Sequence, residues 1–169
     1  MIHLIKKNIL GICIILLSVN SYSQNNESKA KAYFNQYLTS KEQFKLIAKS
    51  LPTLEQCNAV FKEVYAKRYY EFVSTLDKEI DSAFSKLDFE KHKDCKIESV
   101  NTSTLNSEKN SFNGGMDEFQ HVFKPNIVFY RVTYVLEDGS ESYNSFYKYF
   151  VNIDGNWLFF ANPGIVFRE

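Results

Sequence analysis

The sequence predicts an α+β protein in which N-terminal helices pack on a curved antiparallel sheet of about four strands. Three observations support this class: apolar residues recur at helical spacing in the first half, strand-like alternating segments fill the second half, and two Asp-Gly steps separate those segments. Aromatic residues make up 16% of the chain and cluster after Phe119, which suits a sheet covered by helices.

The amino terminus predicts export. Lys6 and Lys7 precede an apolar run, Ile9 to Leu17, and small or polar residues follow it. This order is typical of a secretory signal peptide, and the run is shorter than the roughly 20 apolar residues that a membrane-spanning helix needs. We expect cleavage after Ser23, and therefore a secreted or periplasmic protein with no membrane attachment once the signal is removed.

The domain organisation follows from that cleavage. Residues 1–23 form the signal peptide, and residues 24–169 have the length of one α+β roll domain with one core. The whole chain has 20 basic and 20 acidic residues, so loss of the two signal-peptide lysines leaves a slightly negative domain. Bulk charge therefore gives no reason to expect a nucleic-acid partner.

Two helical segments are predicted before the sheet. We expect residues 24–30, which are polar, to be frayed, and the next segment to be a helix with one apolar face formed by Phe44, Ile47, Ala48 and Leu51. Pro52 ends that helix, because the residue before a proline disfavours helical geometry. A capping box at 53–56 then begins a helical pattern that lasts to about Phe84, as one helix or two.

Four strand-like segments follow a charged stretch. They are Ile97–Val100, Asn126–Leu136, Glu141–Ile153 and Asn156–Ala161, with the longest loop at 101–115. Asp138-Gly139 and Asp154-Gly155 predict hairpin turns, in which glycine supplies a positive φ. We expect 128–136 to pair with 141–149, and 149–153 with 156–160. Both faces of the second segment are largely apolar, which predicts a central strand.

Two helical segments, a curved antiparallel sheet and the Gly-x-Trp hairpin at Asp154-Gly155-Asn156-Trp157 resemble the nuclear-transport-factor-like (cystatin-like) α+β roll over roughly residues 30–165. Enzymes on this roll use Asp and His side chains in the cone between sheet and helices, but no motif here transfers those residues one by one. The resemblance therefore implies the fold alone. The export signal and the Leu-Pro-Thr helix start are also similar to small secreted proteins of Bacteroidetes, a likeness that implies no activity.

Cys57 and Cys95 are the cysteines that remain after export. In an oxidising compartment they predict either a disulfide or two buried, unpaired thiols. An unbroken helix from Cys57 to Ser85 would be about 42 Å long, whereas the ten residues back to Cys95 reach at most about 34 Å. A bridge therefore requires a bend or an earlier end in that helix.

No metal site or cofactor is predicted. His92, Cys95 and His121 are suitable zinc ligands, but the chain has no paired CxxC and no HExxH. Asp117, Glu118 and His121 pair carboxylates with an imidazole, although charged loops often contain such clusters. No nucleophile motif or phosphate-binding loop accompanies them, so we assign no catalytic residue.

The candidate ligand-binding residues are Arg68, His121, Arg131 and Tyr147. Arg131 lies on an otherwise apolar strand face, so its guanidinium must reach either a carboxylate or the open mouth of the cone. Removing the arginine from a buried ion pair would cost about 3–5 kcal/mol. Arg68 lies beside the apolar helical stripe, where its stem could instead cover apolar surface. Tyr147 belongs to a strand face with Tyr143 and Tyr149 that is suited to a sugar, a peptide or another subunit.

The function expected from these observations is an exported, non-catalytic binding or interaction module, whose partner is a small molecule or an envelope protein. The alternative is a small hydrolase, isomerase or dehydratase that uses the cone of the roll. The two hypotheses differ in whether an acid and a base converge in a concave pocket.

Overall fold

The computed structural model describes residues 26–84, 90–105, 116–142, 149–161 and 163–168. The expected cleavage site after Ser23 lies outside these residues. The helices are α1 (26–34), α2 (Ser40–Lys49), α3 (Leu54–Val60), α4 (Glu63–Phe84) and α5 (Gly164–Phe167), and the strands are β1 (His92–Asn101), β2 (Val128–Leu136), β3 (Tyr149–Ile153) and β4 (Asn156–Phe160). Two 3-10 turns, Thr102–Thr104 and Asp117–Val122, precede β2.

Helices α2 and α3 each begin at a capping box. Thr39 caps α2, where its side chain accepts from the Glu42 amide and the Glu42 carboxylate accepts from the Thr39 amide. Thr53 and Gln56 form the same reciprocal pair at α3, which confirms the helix start that the sequence predicts at residue 53. Each box satisfies amides that the first helical turn leaves without intrahelical partners.

The helical pattern after Thr53 is interrupted without a glycine or a proline. Phe61 is extended and forms an isolated antiparallel bridge with Phe123. The Lys62 amide donates to the Val122 carbonyl at 2.9 Å, and the Lys124 amide donates to the Val60 carbonyl at 2.8 Å. These long-range hydrogen bonds replace intrahelical ones, so the chain forms two helices at this position.

The sheet is an antiparallel meander in the order β1-β2-β3-β4, which confirms the α+β class and the central position of β2. Gly139 and Gly155 have φ of 90° and 84°, so both Asp-Gly steps form the predicted hairpin turns. The second hairpin has the predicted register, with Ile153 opposite Asn156.

The first hairpin differs from the prediction in its register. Val135 bridges Glu141 next to the turn, whereas Tyr149 pairs with Arg131. Continued without interruption, the Val135–Glu141 pairing would bring Tyr149 opposite Ile127, and the predicted register would bring it opposite Val128. Residues 143–148, which the prediction included in this strand, lie outside the described residues. At the other side of β2, β1 has ten residues rather than the four predicted.

Helices cover both faces of the sheet, because alternate residues of each strand point to opposite sides. Ala30 and Phe34 of α1 and Leu46 and Ile47 of α2 pack on one face, in a cluster that we call the α1 core. Helices α3, α4 and α5 pack on the other face, in a cluster that we call the α4 core. The sheet residues Tyr130, Phe150 and Phe159 belong to the α1 core, and Phe129, Val151 and Phe160 to the α4 core.

Helix α1 corrects the expectation of a frayed segment for residues 26–30, whereas residues 24 and 25 lie outside the described residues. Ala30 and Phe34 are completely buried, and with Tyr33 and Tyr37 they form an i, i+3, i+4, i+7 stripe. The stripe is aromatic rather than aliphatic, and it starts among polar residues. Ion pairing supports the helix, because the Lys31 ammonium contacts the Asp94 carboxylate of β1 at 2.7 Å.

Cys57 and Cys95 are free and buried. Cys57 lies in the α4 core and Cys95 in the α1 core, so the sheet separates the two thiols and the disulfide is not formed. Burial raises the pKa of each thiol to about 12. Of the two alternatives, the structure therefore has the buried, unpaired thiols, which are kept protonated.

Candidate functional site

A cavity of about 860 Å³ lies at the end of the sheet where β1 finishes, β2 begins and β3 turns into β4. We call it the sheet-end cavity. Its volume falls in the range of about 300–1,000 Å³ that is typical of small-molecule sites. Its polar lining residues are Asn26, Lys29, Asn101, Asn126, Asn152 and Asp154, and its apolar and aromatic residues are Ala59, Ile127, Val128, Tyr130, Val151, Ile153 and Trp157.

Three asparagines in this lining use their side-chain oxygens to bind the protein itself. The Oδ1 atom of Asn101 accepts from the Ser103 amide at 2.8 Å, and that of Asn152 accepts from the Gly155 amide at 3.1 Å. The Ser103 hydroxyl accepts from the Asn126 amide and therefore donates its proton to Asn126 Oδ1, at 3.1 Å. Within the described residues, the three NH₂ groups have no acceptor.

These hydrogen bonds also fix the orientation of the amides. A backbone N–H can only donate, so the atom that faces it in Asn101 and Asn152 must be the oxygen. Asn126 has φ of 64°, a left-handed conformation that asparagine tolerates better than most residues. The cavity therefore has side-chain donors whose carbonyl ends are already held in place.

Aromatic rings support one side of the cavity. The Trp157 indole stacks on Tyr33 at 5.7 Å between centroids and meets Tyr130 edge to face at 5.0 Å. Phe34 contacts the same indole at 5.1 Å. Because Phe34 is completely buried and belongs to α1, the helix that carries Asn26 and Lys29 is joined directly to the aromatic side of the cavity.

A second, smaller cavity of about 390 Å³ contains His121. It is lined by Lys62, Asp117, Glu118, Gln120 and His121, so the structure brings together the acid and imidazole residues that the sequence singled out. The Lys62 ammonium donates to the His121 carbonyl at 2.6 Å, and Arg168 lies 3.6 Å from the Glu118 carboxylate. His121 is exposed, and its ring meets the Tyr65 ring edge to face at 5.8 Å.

The two arginines of the candidate set do not line either cavity. Arg131 lies opposite Glu98 in the β1–β2 register, and its Nε donates to Glu98 Oε2 at 2.7 Å. The side chains are 22% and 39% exposed, so this ion pair is only partly buried. Arg68 is exposed, and its guanidinium lies over the Phe167 ring at 5.9 Å. Each cation is thus engaged by the protein.

Of the three tyrosines on the tyrosine-rich strand face, only Tyr149 is among the described residues. Tyr147 and Tyr143 lie outside the described residues. Tyr149 is buried in the α4 core rather than presented to a partner. Among the described residues, no group of three or more His, Cys, Asp and Glu side chains is arranged to hold a metal ion.

The sequence reasoning missed the asparagines that line the sheet-end cavity. Asparagine next to a strand end is usually a turn-forming residue, and these three do support turns. A signal was nevertheless present. In an antiparallel meander, the end of β1, the start of β2 and the end of β3 meet at one end of the sheet, so Asn101, Asn126 and Asn152 must be neighbours there.

Comparisons with family models, with curated proteins and with solved structures found no match to this chain. Among the described residues, no helix has both the length and the apolar character needed to cross a bilayer.

Proposed function

We propose that this protein is an exported, non-catalytic binding module that holds a small polar ligand in the sheet-end cavity. The observation that carries the proposal is that three asparagines line the cavity with their side-chain oxygens bound to the protein, which leaves their NH₂ groups without an acceptor among the described residues. Asn126 and Asn152 are exposed and Asn101 is half-buried, so water can satisfy these donors until a ligand with hydrogen-bond acceptors replaces it.

Preorganisation also supports a binding role. Ligand binding is weakened by the conformational entropy that side chains lose when they become fixed. An amide side chain whose oxygen is already hydrogen-bonded to the protein loses less of this entropy when a ligand binds. Helix α1 carries Asn26 and Lys29 and is held to β1 by hydrogen bonds from Lys31 and Asn35 to Asp94, at 2.7 and 2.9 Å. The cavity residues on α1 and the three asparagines therefore lie on parts of the chain that hydrogen bonds already hold in place.

The enzymatic alternative, a hydrolase, isomerase or dehydratase, has less support. Asp117, Glu118 and His121 meet at the smaller cavity, but all three are exposed there, and Glu118 lies beside Arg168. The titratable side chains that line the sheet-end cavity, among the residues described, are Lys29, Tyr130 and Asp154. Lys29 and Asp154 are exposed, and no partner among the described residues orients either of them as a general acid or base. Export and the resemblance to the nuclear-transport-factor-like roll remain part of the proposal, and they rest on the sequence.

The test is a calorimetric screen of the purified protein against small polar compounds, which comprise sugars, polyols, amino acids and dicarboxylates. Ala59 is exposed on α3 and lines the cavity, so Ala59→Phe should obstruct the cavity while leaving the fold intact. Lys67→Phe, at an exposed α4 position away from the cavity, is the matched control. Binding that Ala59→Phe abolishes and Lys67→Phe leaves unchanged is the expected result. The proposal would be refuted if no compound bound to the protein, or if Ala59→Phe weakened none of the binding that was found.

A further inference from the structure

The charges around the sheet-end cavity restrict the chemistry of its ligand. Lys29 contributes one positive charge and Asp154 one negative charge, and the other polar lining residues, all asparagines, are neutral. The described lining therefore has no net charge with which to select an oxyanion. A cavity that binds phosphate or carboxylate groups would be expected to collect arginine or lysine side chains.

The hydrogen-bond donors and acceptors of the cavity lining restrict the chemistry of the ligand further. The NH₂ groups of Asn101, Asn126 and Asn152 can donate to several acceptor atoms on one ligand. The Asp154 carboxylate accepts hydrogen bonds only, so it requires a donor. A hydroxyl group supplies both functions at one atom. Several hydroxyls on one rigid frame therefore match this lining better than a ligand that only accepts.

The apolar part of the lining suits the same kind of molecule. Ile127, Val128, Val151 and Ile153 lie beside the aromatic residues Tyr130 and Trp157. A sugar ring has hydroxyls around its edge and C–H groups on its faces, so one side can contact apolar and aromatic surface while its edge meets amides. A volume of about 860 Å³ is near the upper end for small-molecule sites, which favours two or more rings over one.

We infer that the sheet-end cavity binds a neutral oligosaccharide, whose hydroxyl oxygens accept from the three fixed asparagine NH₂ groups and whose hydroxyl protons reach Asp154. This inference rests on the proposed function, because it names the ligand class of the same site. Lys29 on α1 contributes one further donor at the rim of the cavity.

The experiment uses the chain's single tryptophan as its reporter, because Trp157 lines the cavity. The purified protein is titrated with cellobiose, maltose, lactose and N,N′-diacetylchitobiose, and also with a uronic-acid disaccharide and inorganic phosphate. We expect a saturable change in Trp157 fluorescence with at least one neutral disaccharide, calorimetric confirmation of that binding, and no saturation with phosphate.

Asparagine-to-aspartate variants test the amide donors without removing the turn contacts. Asn101→Asp and Asn152→Asp keep an oxygen for the Ser103 and Gly155 amides but lose the NH₂ group. Each should weaken disaccharide binding by about tenfold, the loss expected for one hydrogen bond of typical strength. Asn156→Asp changes the same hairpin by the same charge at a residue outside the cavity lining, so it should leave the affinity unchanged.

The outcomes separate the ligand class from the site. If none of the four neutral disaccharides binds, but another compound binds in a way that Ala59→Phe abolishes, the carbohydrate inference is wrong and the proposed function stands. If a disaccharide binds with the same affinity in both aspartate variants and in Ala59→Phe, the carbohydrate site is not this cavity. If no compound shows binding that depends on Ala59, both proposals fail.

Discussion

The polar side chains at the two ends of the sheet differ in burial and in hydrogen bonding. At the end where β1 begins, Gln43 and His92 lie 3.1 Å apart, and the Ser142 hydroxyl donates to Glu90 at 2.8 Å. The His92 ring also lies 3.5 Å from the Glu90 carboxylate. At the end where β1 finishes, Asn101, Asn126 and Asn152 bind the protein through their oxygens, and their NH₂ groups have no acceptor in the part of the chain that the structure describes.

This difference separates structural polar groups from available ones. Gln43, His92 and Ser142 are buried, and their hydrogen bonds, including those to the Tyr37 carbonyl and to Glu90, hold α2 against β1 and the first hairpin. The asparagines are exposed or half-buried and each has one polar end already engaged. Burial and hydrogen bonding, rather than residue type, therefore indicate which end of the sheet is suited to a ligand.

The largest expected effect is on the buried network. Gln43→Ala removes hydrogen bonds to the Tyr37 carbonyl and to His92 and leaves those groups buried. We expect the free energy of unfolding to fall by about 3 kcal/mol, measured by urea denaturation. Gln36→Ala, at an exposed position, is the control and should change it by less than about 0.5 kcal/mol. Equal effects of the two variants would mean that the network is not structural.

Arg131 and Glu98, in the middle of the sheet, should behave like the buried network but more weakly. Because the pair is partly exposed, Arg131→Met should cost about 1 kcal/mol rather than the 3–5 expected for a buried pair. A double-mutant cycle with Glu98→Gln gives the coupling energy of the pair. The Lys96–Glu141 pair, which is about half exposed, provides the control cycle and should show little coupling. A coupling energy near zero for Arg131 would leave this residue available to a ligand.

A smaller effect is expected at the ion pair that anchors α1. The Lys31 ammonium, with help from Asn35 and the Cys95 amide, lowers the pKa of Asp94 below its ordinary value. The ordinary pKa of an aspartate is about 4. A carboxyl whose native pKa lies below that value stabilises the native state at pH values above about 4, and this stabilisation is lost as the pH falls through the lowered pKa. In Lys31→Met, we expect the native Asp94 pKa to rise, as measured by NMR titration, and unfolding to depend less on pH below pH 4. Lys41→Met should change neither.

The smallest effect on stability is expected at the cavity. Asn152→Asp keeps the oxygen that accepts from Gly155, so the free energy of unfolding should change by less than about 0.5 kcal/mol. The same variant is the one expected to weaken sugar binding about tenfold. A loss of stability as large as that of Gln43→Ala would show that the two ends of the sheet are alike, and it would remove the main argument for a ligand at the cavity.

Much of the fold was predictable because its signals are local. The capping box at Thr53 and Gln56 and the two Asp-Gly turns depend on backbone conformations that a few neighbouring residues determine. The apolar residues on both faces of 128–136 likewise predicted a central strand before its neighbours were known. The polar start of α1 was misleading, because the helix is stabilised by distant contacts of Phe34 rather than by helix propensity.

The candidate site was predicted less well, because its chemistry depends on which residues meet. From the sequence, Arg131 could bind either a ligand or a carboxylate, with the carboxylate or a solvated head favoured, and the register that places Glu98 opposite it decided between the two. The sequence was equally compatible with a disulfide between Cys57 and Cys95 and with two free thiols. The structure decided between them, because the sheet separates the two cores in which the cysteines lie. The sequence by itself determined the capped helices and the hairpins, which short-range sterics and hydrogen bonds specify. Only the tertiary structure brought Asn101, Asn126 and Asn152 to one cavity, because strand pairing joins residues that are far apart in the chain.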